Sequence, residues 1–138
     1  MRFMVFVKAT KTSETGVPPS PEMLSEMGKF NQQLIDAGVL LDANGLQPSS
    51  KAARVRLSQG KRTVIDGPFA EAKELVAGYW IWQCKNLAEA IEWVKRCPDP
   101  MPGEDCEIEV RPIYELADFP DVPEDVRKME QSFRASQK

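Results

Sequence analysis

Histidine is absent from the 138 residues of this chain. That absence removes the Ser–His and Cys–His pairs by which a hydroxyl or thiol nucleophile is usually activated at neutral pH. Cysteine is scarce. Cys84, Cys97 and Cys106 are odd in number and contain no C-x-x-C pair, so a zinc site would need carboxylates to complete its ligand set. The three read as buried free thiols, and no metal is expected. No stretch approaches the ~20 apolar residues that cross a bilayer. Positive charge is not in excess either: 18 Lys and Arg stand against 21 Asp and Glu, a net charge of −3. Nothing in that balance favours direct binding to nucleic acid or to an anionic membrane. Gly45, Gly60 and Gly103 form no phosphate-cradling motif, and no cofactor is indicated. The opening run Met1–Lys8 alternates like a strand and is too short for the apolar core of a signal peptide, which predicts a cytoplasmic protein.

What is present is an ordinary globular composition, 42% apolar and 28% charged, in a chain of single-domain length. Residues 2–8 predict a strand with Phe3, Val5 and Val7 on one face and Met4 and Phe6 on the other. Because both faces are apolar, the strand should be central and covered on both sides. Residues 9–19 read as a loop. Ser20–Pro21 then supplies an N-cap hydroxyl and a proline at the first helical position. Met23, Met27, Phe30 and Leu34, with Leu24 and Ile35, recur at helical spacing, and Gly38 is placed to close the helix. Val39–Leu46 predicts the next strand. Ala53–Leu57 and Arg62–Ile65 form a hairpin around Ser58-Gln59-Gly60-Lys61, in which Lys51, Arg54 and Arg56 read as the protective charges of an edge. Leu75–Cys84 is the longest strand, dense in β-formers. Asn86 with Glu89 opens a second helix whose stripe is Ala90, Ile91, Val94 and Cys97, and Cys106–Tyr114 is the last strand.

The order β-α-β, hairpin, β-α-β predicts an α+β protein on the ferredoxin-like βαββαβ plan, with two helices on one face of an antiparallel sheet. The opposite face carries Tyr79, Glu109 and Arg111 among apolar residues. That mixture suits a second subunit's sheet, giving a homodimer with a partly polar cavity between sheets. Residues 118–138 stand apart from the domain at 1–117: a proline-bearing linker, then a helical pattern of Val126, Met129 and Phe133. This arm either docks on a partner or trails in solvent.

Candidate chemistry centres on Asp66-Gly67-Pro68-Phe69 and the run Glu71, Lys73, Glu74 behind it. The turn reading is simple: Asp, Gly and Pro bend the chain and Phe69 plugs a gap. If Asp66 lies partly buried beside Glu71 or Glu74, like-charge coupling makes a general acid–base pair. The ordinary alternative is an exposed turn with Lys73 pairing to a neighbouring carboxylate. Arg111 either holds a substrate carboxylate or makes a structural ion pair, and Tyr79 either donates a proton or fills space. Three classes follow. The first is a small-molecule binding protein using Tyr79, Arg111 and Lys73. The second is a lyase or hydrolase with Asp66 as acid or base, tuned by Glu71 or Glu74. The third is an interaction module whose sheet is only a dimer interface.

Several ordered blocks carry a resemblance: Gly60 through Glu74, Gly78-Tyr79-Trp80, Glu89 through Trp93, Leu46-Gln47-Pro48-Ser49-Ser50, and Ile108 through Pro112. Together they resemble the YCII-related, or DGPF-domain, family of small bacterial proteins over residues 1–117. The resemblance implies a dimeric α/β-barrel. It also implies that Asp66 occupies the aspartate position of a His–Asp pair found in some relatives, whose histidine has no counterpart here. Relatives of the DGPF type are often encoded beside, or joined to, extracytoplasmic-function sigma factors, which implies a regulatory link for an unidentified small-molecule ligand.

Overall fold

The computed structural model describes residues 1–137. Strand β1 (Arg2–Lys8) is followed by a one-turn helix α1 (Lys11–Glu14), helix α2 (Pro21–Asp36) and strand β2 (Leu40–Gly45). A hairpin of β3 (Ala53–Ser58) and β4 (Lys61–Asp66) precedes β5 (Val76–Gln83) and α3 (Leu87–Lys95). Strand β6 (Ile108–Pro112) and helix α4 (Glu124–Ser136) complete the chain. The main sheet is antiparallel in the order β2-β5-β1-β6, and β3-β4 is a separate two-stranded sheet. The crossover through α2 leaves one strand position between β1 and β2, and β5 fills it: a split βαβ arrangement in a mixed α+β protein. No helix is long and apolar enough to cross a membrane among the described residues.

The sequence explains most of these elements. Ser20 accepts a hydrogen bond from the Met23 amide with Pro21 behind it, so α2 starts where a side-chain cap and a preset φ coincide. Gly38 follows it at φ 73°, the left-handed position that stops a helix. In the hairpin, Gln59 and Gly60 both take positive φ, 51° and 76°, as a two-residue type I′ turn requires. Asn86 caps α3 through the Glu89 amide, while the Glu89 carboxylate accepts from Lys85 rather than from Asn86, so the expected reciprocal pair is displaced by one residue.

The core lies between the sheet and the helices on one face. Phe3, Val5, Trp80 and Trp82 meet Phe30 and Leu34 of α2 and Ala90 of α3. Phe30 stands edge-on to both tryptophans, with centroids 6.0 and 6.3 Å away, a favourable arrangement of ring quadrupoles.

Four expectations need correction. Residues 9–19 contain α1, closed by reciprocal bonds between Thr10 and Ser13. Leu24, Ile35 and Ile91 are exposed, because the sheet reaches only the Phe30–Leu34 side of α2 and the Ala90 side of α3. Of the thiols, Cys84 is buried but Cys97 and Cys106 are only half-buried. Strand β1 is central, yet within one chain the face bearing Met4 and Phe6 is half-buried rather than enclosed.

Candidate functional site

The side of the sheet that packs α2 contains a cleft. One part, about 300 Å³, runs from Asn31 and Trp80 past Met27, Met23 and Ala43. A second, about 410 Å³, continues toward Thr12, Glu14 and Glu104. The two share Pro19, Met23, Gly45, Ala77, Pro100 and Met101 as walls, so they form one elongated groove of ligand size. Its floor is open because Gly45 and Gly78 sit opposite each other across β2 and β5 and neither has a side chain to fill the space. Three methionines, Met23, Met27 and Met101, give it adaptable apolar walls.

Polar groups gather at the ends. At one end the Trp80 Nε1–H donates to Asn31 Oδ1 at 2.9 Å. At the other the Thr12 hydroxyl donates to Glu104 Oε1 at 2.8 Å. Hydrogen bonds from Thr12 and Thr10 hold the Glu104 carboxyl below its ordinary value. Among the described residues, Glu14 and Glu104 are the only charged ones lining the groove, and no Lys or Arg borders it.

Glu14 serves a second purpose. It accepts from the Ser49 amide at 2.9 Å and from the Ser49 hydroxyl. Ser49 Oγ in turn accepts from the Phe69 amide at 3.0 Å, and the Gly67 amide donates to Ala52 O at 3.0 Å. The Asp66-Gly67-Pro68-Phe69 turn, whose Gly67–Pro68 peptide is cis, is therefore docked on the Pro48-Ser49-Ser50 segment. A Cβ on Gly67 would fall 1.7 Å from Ser49 O. Phe69 is further held under the Arg54 guanidinium, 3.8 Å from the ring centroid.

The six residues singled out from sequence do not converge in the single chain. Asp66, Glu71, Lys73 and Glu74 are exposed, and none makes an ion pair among the described residues. The buried carboxylate pair on which acid–base coupling depends is thus not formed within one chain. Arg111 pairs with Glu109 at 3.4 Å on the sheet face that bears Met4 and Phe6, 69% exposed. Tyr79 alone of the six borders the cleft, but its side chain lies on the opposite face of the sheet beside Phe6, where its hydroxyl meets Asn44 at 3.0 Å and Asp42 at 3.4 Å. Sequence reasoning did not single out Glu14, Ser49 or Glu104. A hint existed in Thr10-Lys11-Thr12-Ser13-Glu14, a capping pattern inside an assumed loop. Nothing local announces that Glu14 reaches Ser49, 35 positions away.

The sequence matches the YCII-related domain over residues 1–116. The chain belongs to the YCII-related family. It is also similar to an uncharacterized protein of Rhizobium meliloti (strain 1021), 30% identical over 111 residues, covering 79% of this chain and 89% of the relative. The family match spans the sheet, both core helices, the hairpin and the cleft, and stops before α4. Within this YCII-related domain, the blocks around Ser49 and Phe69 are two halves of one contact.

Proposed function

We propose that this YCII-related protein binds a small molecule in the α2-side cleft, as a ferredoxin-like subunit of a dimeric α/β-barrel. The observation that carries the reading is the groove itself: continuous, walled by methionine and proline, floored by paired glycines, and polar only at its ends. The two carboxylates and the lack of any cation favour a neutral or cationic ligand with an apolar body. An anionic ligand, the partner in one of the two roles open to Arg111, would find no basic side chain among the described residues of this groove. Arg111 and Lys73 offer positive charge elsewhere, on surfaces a second subunit would have to enclose. The half-buried face, with Met4, Phe6, Tyr79 and Ile81 between Asp42 and Arg111, supports the same face of a second copy as its cover. A sigma-factor link would make the ligand a signal rather than a substrate. The alternative lyase or hydrolase reading rests on Asp66, whose exposed carboxylate gives it no support within one chain.

The test uses the neutral fluorescent probe N-phenyl-1-naphthylamine. Saturable binding is expected, with a change in tryptophan emission from Trp80. Gly45→Leu, at a position where a Cβ meets nothing within 4 Å, should abolish binding without unfolding the protein. Dodecylamine should displace the probe at lower concentration than dodecanoate. Probe binding that is indifferent to Gly45→Leu sinks the site, and stronger displacement by dodecanoate sinks the ligand class.

A further inference from the structure

The hairpin β3-β4 lacks a partner. No third strand pairs with it among the described residues, and isolated two-stranded hairpins are marginal in water. One of its faces carries Val55, Leu57 and Val64, exposed by 57, 64 and 66%. Residues 51–66 also hold five basic side chains, Lys51, Arg54, Arg56, Lys61 and Arg62, against the single acid Asp66. An apolar, cationic ribbon is left standing in water.

Its complement lies in the same sequence. Residues 114–125 hold five acids, Glu115, Asp118, Asp121, Glu124 and Asp125, and no base. Glu115 is engaged with Arg2 at 2.8 Å and Asp118 with the Glu115 amide at 2.7 Å. The segment displays two aromatic rings in tilted contact, Tyr114 and Phe119, 72 and 47% exposed with centroids 4.8 Å apart. Apolar groups on both surfaces, with opposite charge around them, are what a desolvated interface requires.

The total area points the same way. The chain exposes 10059 Å², whereas a compact monomer of 15.5 kDa exposes about 7,200 Å². The excess, roughly 2,800 Å², exceeds the ~800 Å² that each partner contributes to a standard interface.

We infer that the β3-β4 hairpin of one chain docks on the 114–125 segment of a second copy, and reciprocally. Val55, Leu57 and Val64 cover Tyr114 and Phe119, and Arg62, which the strand register places on the same face of the ribbon, meets Asp121 and Asp125. An isologous pair makes this contact twice, which is why a single hairpin can remain bare in the isolated chain. The inference does not depend on the cleft having a ligand.

Sedimentation velocity over a dilution series of the full chain tests it, with far-UV circular dichroism to confirm folding. Arg62→Glu should weaken dimerisation about tenfold or more, and so should Asp121→Lys/Asp125→Lys. Combining the two sets of charge reversals should restore most of the loss, which a generally damaged fold would not do. Val55→Ser/Val64→Ser should weaken the dimer with no change in its salt dependence. A wild-type chain that stays monomeric throughout overturns the proposal. So does a dimer whose dissociation constant is unmoved by the hairpin variants, which would place the interface on the sheet face alone. Failure of the combined charge reversal to recover the dimer also overturns it.

Discussion

Replacing Gly67 by alanine should loosen the protein more than any other change in the Asp66–Phe69 turn. The added methyl would lie 1.7 Å from Ser49 O, 2.7 Å from Ser49 C and 3.3 Å from Ala52 O. These are backbone atoms, so no rotamer change relieves the contact. The turn and the Ser49 segment must part by about 1.5–2 Å to reach ordinary contact. That separation breaks the bonds from the Gly67 amide to Ala52 and from the Phe69 amide to Ser49, both 3.0 Å, at ~1 kcal/mol each. Overpacking adds about 1–3 kcal/mol. The expected loss is thus about 3–5 kcal/mol, a large share of the ~5–15 kcal/mol of a typical domain, and about 10–17 °C in Tm at this size. Thermal and urea unfolding followed by circular dichroism measure it, with Asp66→Asn as control. Asp66 is exposed, so its amide should stay within ~0.5 kcal/mol of the parent. A Gly67→Ala protein within ~1 kcal/mol of the parent would refute the docking of these two segments. A large loss in Asp66→Asn would instead make the aspartate, not the glycine, the keystone of the turn.

Other outcomes follow from the same geometry. Ser49→Ala leaves the Phe69 amide and the Glu14 carboxylate short of a partner in a buried position. It should lower stability by about 1–3 kcal/mol in urea titration. Leu34→Ala, at a fully buried site, should lose ~2–5 kcal/mol, while Leu24→Ala, exposed on the same helix, should lose less than ~1 kcal/mol. Burial pushes the Cys84 thiol up to about 11 and the Cys97 thiol up to about 12, from an ordinary value near 9. Unfolding therefore releases protons above pH 9. Stability should be unaffected by these thiols below that value and should fall as pH rises through 11 and 12. Urea midpoints at pH 8, 9.5 and 10.5 check the trend, and native Cys84 should alkylate slowly at pH 7.5 until urea exposes it.

The strands and helices were legible because period and punctuation agreed. Alternation in residues 2–8, Ser20–Pro21 before a helical stripe, and Gly60 between two β-rich runs each correspond to a local backbone requirement that the structure meets. The width of the helix stripes was not legible, since Leu24 and Ile91 lie at core spacing but beyond the reach of a four-stranded sheet. Helix α1 was missed because four residues with no apolar periodicity leave only their cap as a signal. The candidate site was the hardest part. The cleft is assembled from residues 7 to 104, and much of its shape comes from absent side chains at Gly45 and Gly78. The Glu14–Ser49–Phe69 chain links positions 35 and 20 residues apart. Such contacts depend on topology, which local pattern does not encode.

The glycine pair on the cleft floor has a consequence for how such a protein can diversify. A methyl at Gly78 would meet Asn44 O at 3.1 Å and the Gly45 Cα at 3.5 Å, so β2 would have to yield, whereas one at Gly45 meets nothing. The calibre of the groove can therefore be changed at Gly45 alone, one carbon at a time, with the strand pairing held constant by Gly78. Groove width and folding are separable at that position, and a saturation library there would sample groove widths on an unaltered scaffold.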